Sequence, residues 1–112
     1  MLKRDELFKA FEQSNYWDEL IIHLECSNNA DVVHIVLDSG IEYTFHKCYK
    51  VDFLHDISYP KGLKNEYYLQ NVELEIINQY YKEFYKTILS GWPMKLIIIS
   101  EDITIAINKH KD

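Results

Sequence analysis

The chain has 112 residues, of which 47% are hydrophobic and 27% charged, with a formal net charge of −6, three glycines and two prolines. Such a length and composition describe one ordered domain around one core, burying roughly 60 to 70% of the surface that the unfolded chain exposes. They argue against disorder, the acidic balance argues against docking to nucleic acid or an anionic membrane, and the longest apolar runs, such as Leu96 to Ile99, fall far short of a membrane span.

Leu7, Phe8 and Phe11 recur at helical spacing, so the opening stretch predicts one short amphipathic helix over about residues 4–13. No apolar run follows Lys3 and Arg4, which argues against a signal peptide and for the cytoplasm. Ser14 and Asn15 break the pattern, and alternation of period two begins at Leu20. It sets Leu20, Ile22, Leu24 and Cys26 on one face and Ile21, His23 and Glu25 on the other. A four-residue turn, Ser27-Asn28-Asn29-Ala30, would then bring Leu24, Ile22 and Leu20 opposite Val33, Ile35 and Leu37.

The next turn is the most informative. A three-residue loop at Asp38-Ser39-Gly40, with Gly40 left-handed, pairs Leu37, Ile35 and Val33 with Ile41, Tyr43 and Phe45, and every pair is apolar. A two-residue loop would set Asp38 against Ile41 and is rejected. The apolar parity continues into Tyr49, Val51 and Phe53, except that Lys47 interrupts it and predicts a bend or bulge.

Residues 57–65, with Pro60 and Gly62, read as the longest loop. Val72, Leu74 and Ile76 alternate with Glu73 and Glu75 as a half-exposed strand, and Phe84 to Leu89 reads as a strand on its aromatic and β-branched content. After a turn at Ser90-Gly91-Trp92-Pro93 come two further strands, Met94 to Ser100 and Ile103 to Ile107, separated by Glu101-Asp102. Leu96 to Ile99 has no polar side and belongs mid-sheet, covered on both faces. The expected fold is mainly β: an antiparallel sandwich or strongly curled sheet of about seven to eight strands over about residues 19–107, with one helix.

Residues 1–56 hold eleven acidic and five basic side chains, and residues 57–112 hold seven of each, so the excess acidity sits in one half. Across the ladder, His23 falls opposite His34, His34 opposite Thr44, and His46 diagonal to His34, with Glu25 and Glu42 on the same face. His23, His34 and His46 are therefore the candidate metal ligands, zinc taking such donors, against the alternative that they are solvated or packed beneath the helix. His23 and Cys26 are excluded as a pair, because an odd spacing on a strand sends them to opposite faces.

Both cysteines, Cys26 and Cys48, read as packed thiols rather than nucleophiles. His55-Asp56 lacks a partner nucleophile, and the glycines stand alone at 40, 62 and 91, so nothing calls for a catalytic centre or a cofactor. In the doublets Tyr67-Tyr68 and Tyr80-Tyr81, strand geometry turns one ring of each outward, where tyrosines can anchor interfaces, although a purely structural role is the favoured reading of each.

Trp17-Asp18 leading into an alternating strand, Ile41-Glu42-Tyr43-Thr44-Phe45, Val51-Asp52-Phe53, Leu69-Gln70-Asn71-Val72-Glu73-Leu74 and Ile98-Ile99-Ser100-Glu101-Asp102-Ile103-Thr104-Ile105 together resemble the small bacterial domains classed as immunity protein 50. The resemblance spans most of residues 16–107. It implies an all-β cytoplasmic domain that neutralises a toxin encoded beside it, without catalysis. Many such toxins are basic nucleases, so the acidic half supplies the candidate partner-binding residues Asp18, Glu19, Glu25, Asp31, Asp38 and Glu42, with nearby tyrosines as anchors. A metal-binding protein or metal-dependent hydrolase is the alternative function, and a homodimer joined along a sheet edge is a further arrangement.

Overall fold

In the computed structural model, which describes residues 2–29, 31–55, 67–91 and 94–107, one helix precedes seven antiparallel strands. These are α1 (Leu2–Gln13), β1 (Glu19–Ser27), β2 (Val32–Leu37), β3 (Ile41–His55), β4 (Tyr68–Leu69), β5 (Asn71–Gln79), β6 (Lys82–Gly91) and β7 (Met94–Ile107). They form one sheet in the order β4-β1-β2-β3-β7-β6-β5. Of the two expected architectures the curled sheet is the one adopted, and it does not close.

Its curl follows from the two ends of that order. β4 and β5 lie at opposite edges, yet only Gln70 separates them in the chain. Leu69 accepts from Asp18 N–H and Tyr67 from Ile21 N–H, both at 2.8 Å, while Gln70 N–H already donates to Ser90 at the end of β6, at 2.9 Å. The edges therefore meet at one end of the sheet. Gly91 lies where they meet, and a β-carbon there would run into the Tyr68 carbonyl.

The inner face holds the core. Val33, Ile35, Leu37, Tyr43, Phe45, Leu69, Leu89, Leu96 and Ile98 are all fully buried. Phe11 of α1 plugs it, its ring centroid 4.8 Å from that of Tyr43. The Ser14 hydroxyl, just past the helix, donates to Phe11 O at 2.6 Å and so accepts from Tyr43 Oη at 2.7 Å, which satisfies both buried hydroxyls. Thr87 and Ser100 also face inward, but neither hydroxyl has a hydrogen-bond partner among the described residues. Two further contacts reach the sheet edge: Arg4 of α1 donates to Leu74 O at 2.7 Å, and Tyr16, past the helix, accepts at Oη from Val72 N–H at 3.2 Å.

The Asp38-Ser39-Gly40 loop has three residues, with Gly40 at φ 100° and its N–H bonded to Leu37 O at 2.9 Å. The register follows as expected, Val33 facing Phe45 and Ile35 facing Tyr43. The bulge at Lys47 is present too, with φ 53° and a register shift between Cys48 and Lys50. It has a consequence that parity did not foresee: Cys48 turns toward the core, and Tyr49, placed there by the alternation, is exposed.

Other expectations are corrected. The β1–β2 ladder is shifted by two residues, with Leu24 facing Ile35 and Cys26 facing Val33, because the loop begins one residue later, at Asn28. A bulge between Ile21 and His23 then reverses the parity, so that Ile21 is 9% exposed and Ile22 55%. Cys26, at the strand end, is exposed rather than packed.

Tyr80-Tyr81 lies not in a strand but in the two-residue turn between Gln79 and Lys82. The two C-terminal strands are one, β7, continuous through Glu101-Asp102 because β3 pairs with it on both sides of that step. What changes there is the buried parity, from Leu96, Ile98 and Ser100 to Ile103. The run Leu96 to Ile99 does lie mid-sheet, between β3 and β6. The expected loop 57–65 and most of the turn at Trp92-Pro93 fall outside the described residues.

Substitution of Gly91 by alanine should lower stability by roughly 3 kcal/mol, the upper range for overpacking, because backbone rather than a movable side chain occupies the space. Urea unfolding, compared with a control such as Lys82→Ala on the exposed part of the same strand, measures it.

Candidate functional site

α1 packs on the inner face, so the histidine-bearing outer face of β1, β2 and β3 is not its underside. The register brings Glu25 opposite His34, whereas His23, expected there, faces Val36. His23 still reaches the neighbourhood from its diagonal position. Its Nε2 hydrogen bonds to Glu25 Oε1 at 3.1 Å, and its ring centroid is 6.0 Å from that of His34. On the other side of His34, Glu42 Oε1 accepts from His34 Nε2 at 2.9 Å.

His34 faces Thr44 as expected, and His46 is diagonal to it. His46, however, turns away and bonds Thr104 Oγ1 of β7 at 3.0 Å. His23, Glu25 and His34 are a group whose ligand atoms all lie within 4.8 Å of one another.

The six acidic residues singled out from sequence occupy three places along one hairpin region. Glu25 and Glu42 flank His34. Glu19, whose Oε1 accepts from Ser39 N–H at 3.1 Å, adjoins Asp38 at the β2–β3 turn, and Asp18 precedes it, held by Gln70 Nε2 at 3.1 Å. Asp31 is exposed at the opposite turn, where its carbonyl accepts from Cys48 N–H at 2.9 Å. Asp102, opposite His46 on β7, extends the acidic face and was missed. Only the β3–β7 pairing, absent from any local pattern, would have found it.

The exposed ring beside Asp18 and Glu19 is Trp17. The exposed tyrosines gather beyond the Lys47 bulge, where Tyr49 packs at 5.4 Å on Phe84 and at 5.8 Å on Tyr80. The hydrogen bond from the Tyr80 side chain, ahead of desolvation, pushes the Tyr49 phenol above its ordinary value. Tyr80 and Tyr81 have φ of 52° and 62°, the type I′ geometry that asparagine and glycine adopt with little strain and bulky residues do not. Tyr81 is fully exposed and Tyr80 76% exposed, so neither burial nor backbone preference accounts for the pair. Tyr67 is half-buried instead, its ring 5.7 Å from that of Phe53.

The Cys48 thiol donates to Phe45 O at 3.5 Å, and burial pushes it up to about 11, against a thiolate at neutral pH. Asp56 and the His55 side chain, weighed as a base and its orienter, fall outside the described residues.

The family model of immunity protein PIM7 matches residues 3–107, nearly the whole chain. No curated protein matches. No helix among the described residues is long and apolar enough to cross a membrane.

The two thiols should separate by reactivity. At about pH 8, below the raised Cys48 value, a disulfide reagent such as Ellman's should titrate Cys26 rapidly and Cys48 only on unfolding; two equally fast thiols would contradict the burial argument.

Proposed function

The chain belongs to the immunity protein PIM7 family, and we propose that it acts without catalysis, in the cytoplasm, by holding a cognate basic protein toxin on the outer face of its sheet. The immunity-type character read from residues 16–107 stands on that membership. The surface is our inference, and one observation carries it: α1 packs on the inner face, while the opposite face carries Glu25 and Glu42 around His34 and exposed tyrosines beyond the Lys47 bulge.

In this reading Asp18, Glu19, Glu25, Asp31, Asp38 and Glu42 form the charged rim. They raise the rate of encounter with a basic partner, by roughly 10- to 1,000-fold in favourable cases. Tyr49, Tyr80 and Tyr81 are the anchors. Large rigid rings that lose little entropy on docking are the side chains that dominate binding energies, and strain held at an exposed turn is common where function selects it.

Two experiments with the product of the adjacent gene test the reading. Replacing Glu25, Asp31 and Asp38 by lysine should slow association about tenfold or more, with an accompanying loss of salt dependence, as stopped-flow mixing or surface plasmon resonance would record. No complex between the wild-type chain and that product at micromolar concentration in low salt would count against the whole proposal.

Tyr80→Asn combined with Tyr81→Gly should move stability and binding in opposite directions. The relaxed turn should gain about 1–2 kcal/mol in urea unfolding, while toxin affinity should fall roughly tenfold or more. Unchanged affinity would remove the tyrosines from the interface.

A further inference from the structure

We propose that His23, Glu25 and His34 form a surface site for a zinc-class divalent transition metal. His23 and Glu25 are two apart on β1 and already share a hydrogen bond of 3.1 Å, while the register sets Glu25 directly across from His34 on β2. The three ligand atoms lie within 4.8 Å of one another. A tetrahedral zinc shell with bonds of about 2.0–2.1 Å holds its donors roughly 3.3 Å apart, so the group needs side-chain rotation rather than any movement of the ladder.

The surroundings favour the same assignment. Metal-bound imidazoles usually give their second ring nitrogen to a carboxylate, which fixes the ring and makes it a better donor. Glu42 is so placed, accepting from His34 Nε2 at 2.9 Å. Two imidazoles and one carboxylate suit zinc, nickel or copper and disfavour calcium or magnesium, which take oxygen donors. The side chains of His23 and Glu25 are about half exposed, at 51% and 55%, and that of His34 is 33% exposed, so an ion can enter without opening the fold. His46 is not a ligand, because it is engaged with Thr104 on the neighbouring strand.

The test is calorimetric titration of tag-free, metal-stripped protein with zinc chloride in a non-coordinating buffer, each variant being checked for native circular dichroism. One zinc per chain is expected, with His23→Gln, Glu25→Gln and His34→Gln each weakening it about tenfold or more and Glu42→Gln roughly tenfold as a positioning residue. His46→Gln and Cys26→Ser should bind as the parent does. Absence of saturable binding up to about 100 μM zinc, far above the affinity of a three-ligand protein site, would overturn the proposal. So would loss of binding in Cys26→Ser or equal loss in His46→Gln, since either would move the ion off this trio. Toxin capture is read in separate experiments, so failure of either proposal leaves the other standing.

Discussion

A single residue, Gln70, carries the chain from one edge of the sheet to the other, and much of the architecture follows from that joint. Its neighbours Leu69 and Tyr67 accept from β1, and its own N–H donates to Ser90 on β6. A flat seven-stranded sheet would set β1 and β6 about 19 Å apart at the usual spacing of about 4.8 Å. The sheet therefore has to curl until its ends touch, and curling creates one concave face. Tyr43, Phe45, Leu96 and Ile98 fill that face with α1 laid over it, and among the described residues no helix covers the opposite face.

Curvature also has to be built into the strands. β3 has 15 residues and β7 has 14, lengths at which a regular twisted strand would carry its buried side chains off the core. Lys47 at φ 53° resets β3, and the change of buried parity after Ser100 resets β7 close by. The same reset turns Cys48 inward and Tyr49 outward, so one bulge supplies both a packed thiol and part of the exposed aromatic cluster. The outer face along β3 thus carries His34's neighbours Glu42 and Thr44 before Lys47, and Tyr49 with the ion pair of Lys50 and Asp52 after it.

What was legible in the sequence was whatever a short range of residues decides. The Asp38-Ser39-Gly40 loop dictated its own length, since only one register pairs apolar with apolar, and from it came the placement of His34, Glu42 and Thr44 on the outer face. Lys47 announced its bulge by breaking an otherwise regular alternation. The β1–β2 ladder was harder, because Ser27-Asn28-Asn29-Ala30 tolerates several loops and the adjacent Ile21 and Ile22 read alike, so the bulge between Ile21 and His23 left no trace. Tyr80-Tyr81 was read as strand for a physical reason too: tyrosine favours strands, and the turn places it where that preference is overridden. Counting charge by halves of the chain found the acids of β1 to β3 but not Asp102, which joins them only through a pairing nearly sixty residues apart in sequence.

The bond from Arg4 to the carbonyl of Leu74 spans 70 residues of chain, the longest reach among the side-chain contacts described here other than those joined by the strands themselves. In a chain made from its N-terminus onward, the hairpins of β1, β2 and β3 are complete before the partner of Arg4 has been synthesised. The first segment made is then among the last to find its place. Until it does, the outward carbonyl of Leu74 and N–H of Val72 lie on an uncapped edge, the kind of surface on which two unfinished chains pair. Arg4 and Tyr16 thus cap two edge groups of β5 that the sheet itself leaves unpaired.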